Sequence, residues 1–173
     1  RGYAEYLREL KRSFRDQYSY IGRGVTMGTK EGIPAVDEAI SFLLAVPPVP
    51  ELKASRALSL AAKDHLRDQT LRGGFGHRGS DGSNPLDRMV RYGEVGAAVG
   101  ECIDYGHQEA RDIVVALIVD DGVPDRGHRR AIFDPAFTLV GVGHGANVLY
   151  DWACVIDFAA ALRKEVPGAT RVL

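Results

Sequence analysis

The chain has 173 residues, of which 45% are apolar and 26% charged, and its formal net charge is -1. That length suits one domain with a substantial core, and so small a charge gives no global field to draw it to nucleic acid. No apolar run approaches the roughly 20 residues needed to span a bilayer, and two cysteines, Cys102 and Cys154, do not decide a redox compartment by their number.

In chain order, Tyr3, Leu7, Leu10 and Phe14 recur every three to four residues and predict an amphipathic N-terminal helix. Its charges lie on the other side and read as a solvated face. Residues 18–32 are glycine-rich and read as a loop with a short strand near Val25. Ile33-Pro34 opens a second helix, buried through Ala35, Ala39, Phe42 and Leu43. Pro47, Pro48 and Pro50 stop it. Ser55 is placed to cap a third helix running to about Leu71, with Leu58, Ala61, Ala62, His65 and Leu66 along one side. Residues 72–84 hold too many glycines for a long helix. Pro85 starts a short helix through Met89, closed at Tyr92-Gly93, and a fifth helix covers about Gln108 to Val119. Phe137–Gly143 and Trp152–Phe158 are β-rich runs that predict an antiparallel hairpin, with a turn over Gly145–Asp151. Both strands read as buried on two faces, and Glu101–Tyr105 is a further candidate strand.

Three polar, glycine-rich segments carry the chemistry. They are Gly76-His77-Arg78-Gly79, Gly100-Glu101-Cys102 and Gly127-His128-Arg129, with the acidic pair Asp120-Asp121 before the last. Imidazole and carboxylate are the side chains that hold a divalent cation or move protons near neutral pH. The same groups serve equally to tie loops together by hydrogen bonds. Ser80-Asp81-Gly82-Ser83 reads as a turn, since neither serine sits in a nucleophile elbow.

Taken together and in this order, Gly-His77-Arg-Gly-Ser-Asp-Gly, Tyr92-Gly, Gly-Glu101, Asp120-Asp-Gly-Val-Pro-Asp-Arg-Gly-His128-Arg and Cys154-Val-Ile-Asp-Phe158 resemble a bacterial member of the CAP superfamily. This is the group of cysteine-rich secretory, antigen 5 and pathogenesis-related 1 proteins, also called the SCP domain. The resemblance covers about residues 34–160 and leaves residues 1–33 as an N-terminal helical extension of a single domain over 1–173. It implies an α+β fold, a three-layer α-β-α sandwich around a central antiparallel sheet.

The resemblance also implies a cleft in which His77, Glu101, His128 and Asp120 hold a divalent cation, and the donor types suit a weak zinc site. Leu117 stands where the family carries a tryptophan, and Asp120 three residues later takes the acid's place; Asp121 beside it is the other candidate. Arg129, Tyr92, Tyr105 and Phe75 are further cleft-lining candidates, and Arg129 is placed to hold Glu101 or Asp120. Cys102 stands where the family usually has Asn, which removes a bridging amide. Family placement suggests export, with Cys102 and Cys154 a possible disulfide. The chain begins with Arg1 rather than Met, which agrees with a signal peptide removed from a secreted or envelope-associated protein. The implied function is non-catalytic binding of a lipid, glycan or protein ligand. A metal-dependent hydrolase using Glu101 and a metal-bound water is the enzymatic alternative, and a structural or interaction role is the third.

Overall fold

The computed structural model describes residues 2–22, 25–96 and 98–165. In chain order the elements are α1 (Gly2–Arg12), β1 (Ser19–Gly22), β2 (Val25–Gly28), α2 (Ile33–Ala45), β3 (Lys53–Ala54), α3 (Arg56–Arg72), α4 (Pro85–Met89), β4 (Gly93–Val95), β5 (Val99–Tyr105), α5 (Ala110–Val119), α6 (Gly127–Ile132), β6 (Leu139–Asn147), β7 (Asp151–Ala159) and β8 (Leu162–Glu165). They divide into two compact units. The first is Arg1–Pro48 with Val114–Ile132, and the second is Val49–Ile113 with Phe133–Leu173.

The second unit is built on a four-stranded sheet in the order β3-β6-β7-β5. The central strand β7 pairs antiparallel with both β5 and β6. The expected antiparallel sheet therefore holds for three strands, while the two-residue edge strand β3 joins β6 in parallel. Ser55 follows β3 and caps α3, its hydroxyl accepting from the Leu58 N–H at 3.3 Å. The helix then runs back over the sheet.

What lets α3 lie so close is a row of glycines. A Cβ on Gly141 would sit 2.2 Å from the Leu58 carbonyl carbon, and one on Gly143 would sit 2.7 Å from that of Ala62. Alternate strand residues advance roughly 6.7 Å and four helical residues roughly 6 Å, so the two rows stay in step. Gly145 continues it, beneath Leu66. Gly145, which reads in sequence as the start of the turn, is thus a strand residue. β6 continues to Asn147, and the turn shrinks to residues 148–150. Burial on two faces holds for β7 but not for β6, where Val142, His144 and Ala146 are exposed.

Above the sheet, Ala57, Leu58, Ala61, Met89, Tyr92 and Ala159 form one apolar cluster, and Ala62, Ile103 and Val155 form another. Complete burial of a side chain such as Leu58 stabilises by roughly 2–3 kcal/mol. Asn84 and Asp87 cap α4 reciprocally, each side chain accepting from the other's N–H at 3.0 and 2.9 Å. β4 and β8 make a separate two-stranded sheet that sequence periodicity did not reveal.

In the first unit, α1 buries Ala4 and Leu7, whereas Tyr3 is exposed. Phe14 lies beyond the helix and stacks on Tyr20 at 5.2 Å. The glycine-rich segment holds two short strands rather than one, β1 pairing with β2. Pro34 occupies the first turn of α2 as expected.

Candidate functional site

Sheet register sets the chemistry of the second unit. Glu101 on β5 lies directly across from Asp157 on β7, which in turn lies across from Gly141 on β6. Side chains of directly paired residues share a face of the sheet, so two carboxyls are driven together under α3. The Glu101 side chain is 1% exposed and Asp157 is fully buried. Two ionised carboxylates in that position would repel strongly.

Arg88, on the inward side of α4, relieves part of this. Its Nη2 donates to Glu101 Oε2 at 2.7 Å, and its Nη1 donates to the carbonyl oxygens of His77 and Ser83, both at 3.1 Å. The other Glu101 oxygen, Oε1, lies 2.8 Å from His77 Nδ1. A carboxylate can only accept, so the imidazole proton on that side belongs to Nδ1. Burial pushes the Glu101 carboxyl up, but the hydrogen bond from His77 and the charge and hydrogen bond of Arg88 outweigh it and hold it below its ordinary value. Asp157 moves the other way. Burial first, then the neighbouring Glu101 charge and hydrogen bond, push it up to about 9. Neither Asp157 oxygen meets a protein donor. A protonated Asp157 removes that difficulty by becoming the donor itself, toward Glu101. The buried group is thus one guanidinium, one carboxylate and one neutral acid.

His65, also fully buried, supports the loop that carries His77. Its Nε2 lies 2.8 Å from the Gly76 carbonyl, to which Gln69 Nε2 donates at 2.7 Å, and Tyr105 accepts from the Gly76 N–H at 2.9 Å. Desolvation lowers the His65 pKa. His65 is therefore a core histidine that positions the loop. His77 itself is half exposed at the edge of an open pocket of about 320 Å³, lined also by Asn84, Pro85, Leu86, Val99, Gly100 and Glu101.

The first unit holds the other sequence candidates. Asp120, at the end of α5 with φ +56°, places Oδ1 2.7 Å from His128 Nδ1, and its Oδ2 accepts from the N–H groups of His128 at 2.9 Å and Arg129 at 3.3 Å. Asp121 turns elsewhere, accepting from the N–H groups of Lys30, Glu31 and Gly32 ahead of α2. Of the two acids, Asp120 is thus the partner of the histidine. Arg129 does not hold Glu101 or Asp120 through its side chain. It donates to the Ile118 and Val119 carbonyls and to Glu38 Oε1. Arg126 binds Glu31 and Glu38, and Asp125 pairs with Arg130.

The expected zinc site is corrected by this geometry. Among the described residues, no group of three or more His, Cys, Asp or Glu is arranged to hold a metal ion. The donors are committed instead. His77 faces Glu101, His128 faces Asp120, and Arg88 supplies the positive charge at Glu101. A hydrolase working through a metal-bound water loses its basis with the ion. The possible Cys102–Cys154 disulfide is corrected as well, both residues being buried thiols. They sit diagonally, Cys102 across from Ile156 and Cys154 across from Asp104, and diagonal pairs stand about 7–8 Å apart, beyond disulfide reach. Burial pushes the Cys154 thiol up to about 12. Tyr92 is a core residue hydrogen-bonded to Asp64, not an open cleft wall, while Phe75 is exposed and Tyr105 half-buried.

Sequence reasoning missed Arg88 and Asp157 as site residues. A charge beside Met89 on the inward side of a short helix, and an acid inside the apolar run Cys154-Val-Ile-Asp-Phe, were the available signals.

Comparison with known proteins agrees with this architecture. The chain is 29% identical over 93 residues to uncharacterized protein YkwD of Bacillus subtilis strain 168, covering 54% of this chain and 34% of YkwD, so it spans about a third of that relative. An outer surface protein from Borrelia burgdorferi superposes with a TM-score of 0.54 at 18% identity, over 64% of this chain and 78% of that one, and so shares the fold. An extracellular protein containing an SCP domain from Bacillus anthracis str. Ames gives a TM-score of 0.49 at 23% identity, over 70% of this chain and 37% of that one. The profile of the cysteine-rich secretory protein family, CAP, matches residues 47–155, which is more than half of the sequence. With its α+β fold of helices and a central sheet, the chain belongs to the CAP family and to its bacterial branch.

Proposed function

We propose that this is an exported CAP-domain protein whose pocket beside His77 binds a small amphipathic ligand without converting it. The observation that carries this reading is the full engagement of Glu101, one oxygen by His77 and the other by Arg88. A carboxylate held by a guanidinium and by an imidazole N–H is a poor general base, because both partners stabilise its ionised form. The pocket is nonetheless equipped to bind. With the Nδ1 proton directed to Glu101, His77 offers Nε2 as an acceptor. Pro85, Leu86 and Val99 supply an apolar wall and Asn84 an amide. A ligand with a hydroxyl donor and an apolar face suits that lining, as in a sugar or the polar end of a lipid. The secretory family and the likeness to an outer surface protein of Borrelia burgdorferi support a place outside the cytoplasm.

Saturation-transfer NMR with sugars and short-chain lipid analogues tests the reading on the intact chain. The wild type is expected to bind at least one compound, and His77→Ala, altered at a half-exposed side chain, to lose at least about tenfold in affinity, the worth of one or two hydrogen bonds. Chemical conversion of a bound compound that disappears in Glu101→Gln would replace this reading with an enzymatic one. Absence of binding across the panel would remove it.

A further inference from the structure

A second surface of the same unit shares no residue with the pocket. α3 ends at Leu71-Arg72, and Phe75 follows a left-handed Gly73. Beside them is the β6–β7 turn, Val148-Leu149-Tyr150. A Cβ on Gly73 would touch Leu149 Cδ1 at 3.9 Å, Phe75 and Tyr150 rings lie 6.0 Å apart, and Thr70 donates to the Ala146 carbonyl at 3.0 Å. Helix end and hairpin tip therefore form one continuous tip. Five of its large apolar side chains face solvent: Leu71 at 71%, Phe75 at 67%, Val148 at 71%, Leu149 at 57% and Tyr150 at 38%.

The tip is held rigidly. Asn147, itself buried, accepts from the Leu149 and Tyr150 N–H groups at 2.9 and 3.2 Å, which fixes the turn that projects Val148 and Leu149. The Tyr105 ring stacks on Phe75 and meets Tyr150 at a tilt of 47°, each with centroids 4.8 Å apart. Rigid presentation of solvated apolar groups has no folding benefit to explain it.

Charge and size narrow the partner. Arg67 lies one helical turn before Leu71 and Arg72 follows it, both exposed. Asp151 is the exposed acid next to the tip. Asp68 accepts from the Ser80 N–H and lies 3.7 Å from Arg72 Nε, a loose contact that leaves the Arg72 side chain 71% exposed. The exposed apolar area is on the order of 500 Å², above a scattered surface level but below the roughly 800 Å² that each partner of a stable dimer buries. More than half-exposed side chains at a turn and a helix end make a convex surface, suited to entering a soft phase rather than to enclosing a small molecule. Apolar side chains that enter the headgroup boundary, flanked by cations, are the chemistry of interfacial membrane binding.

We propose that this tip docks the protein on an anionic lipid bilayer, with Val148, Leu149 and Phe75 entering the interface and Arg67 and Arg72 pairing with lipid phosphates. The test is cosedimentation of the full chain with phosphatidylglycerol-containing vesicles and with phosphatidylcholine vesicles, alongside Val148→Asp/Leu149→Asp and Arg67→Glu/Arg72→Glu variants checked for native circular dichroism. The wild type should sediment preferentially with the anionic vesicles and lose this as salt is raised toward ~1 M. Each double variant should bind at least tenfold more weakly. Equal partition of wild type and both variants would overturn the proposal. So would failure of the wild type to bind anionic vesicles at low salt. A concentration-dependent dimer that the Asp variant abolishes, without vesicle binding, would assign the tip to a second copy instead.

Discussion

Asp157→Asn tests the buried carboxyl pair most directly. In the folded chain Asp157 titrates near 9, against an ordinary value of 3.8. Between these values the folded state keeps a proton that the unfolded state has lost. Unfolding therefore releases a proton, and stability falls as pH rises, by about 1.4 kcal/mol per pH unit. Asparagine has the same shape, presents an N–H toward Glu101 in place of the acid proton, and does not titrate. The variant should gain on the wild type by about 3 kcal/mol between pH 6 and 8, and should be the more stable protein at pH 8. His65, whose pKa is lowered, makes the native state gain stability as pH rises through the range in which the unfolded imidazole loses its proton; Cys154 has the opposite sign but acts only at higher pH. Both contributions are common to wild type and variant and cancel in the difference. The assay is urea unfolding followed by circular dichroism at a series of pH values, with the slope against urea compared to check that both unfold alike. Parallel pH profiles for the two proteins, or a variant less stable at pH 8, would refute a protonated Asp157 and the arrangement of charge built on it.

Two further outcomes follow from the same geometry. Gly141→Ala should destabilise by at least ~2 kcal/mol, because its Cβ meets helix backbone at 2.2 Å, whereas Gly145→Ala, facing the movable end of Leu66 at 3.4 Å, should be far milder; thermal melts of the two variants compare them. Arg88→Met should cost about 3–5 kcal/mol by stranding the Glu101 charge, and much of that should return in Arg88→Met/Glu101→Gln, a non-additivity measurable by a double-mutant cycle in urea.

Much of the local structure was legible because its causes are local. Pro34, Ser55 and Asn84-Pro85 act within a few residues of themselves, and each starts a helix where the sequence places it. The role of the β6 glycines was not legible, for the opposite reason. Gly141 and Gly143 lie in a run that reads as strand and Gly145 in its turn, but the need for glycine there shows only when α3, far earlier in the chain, is laid on them. Only the paired helix shows that a missing Cβ is required. The strand β7 was read well in its apolar residues, yet its one acid, Asp157, carried more information than any of them.

The zinc expectation failed in an instructive way. His77, Glu101, His128 and Asp120 have the right chemistry for an ion and equally the right chemistry for two imidazole–carboxylate pairs. Composition does not separate these. What separates them is whether something else neutralises the carboxylate, and that depends on where α4 delivers Arg88, a tertiary contact whose partner the local sequence does not name. Once Arg88 lies on Glu101 and a proton lies on Asp157, the buried charge is balanced by the chain's own groups. A cation brought to the same carboxylate would have to displace a guanidinium bonded at 2.7 Å and only 1% exposed. The arrangement instead leaves His77 as the polar group turned toward the pocket, tethered at Nδ1 and open at Nε2. On that asymmetry rests the proposal that the site recognises a hydroxyl rather than activating a water.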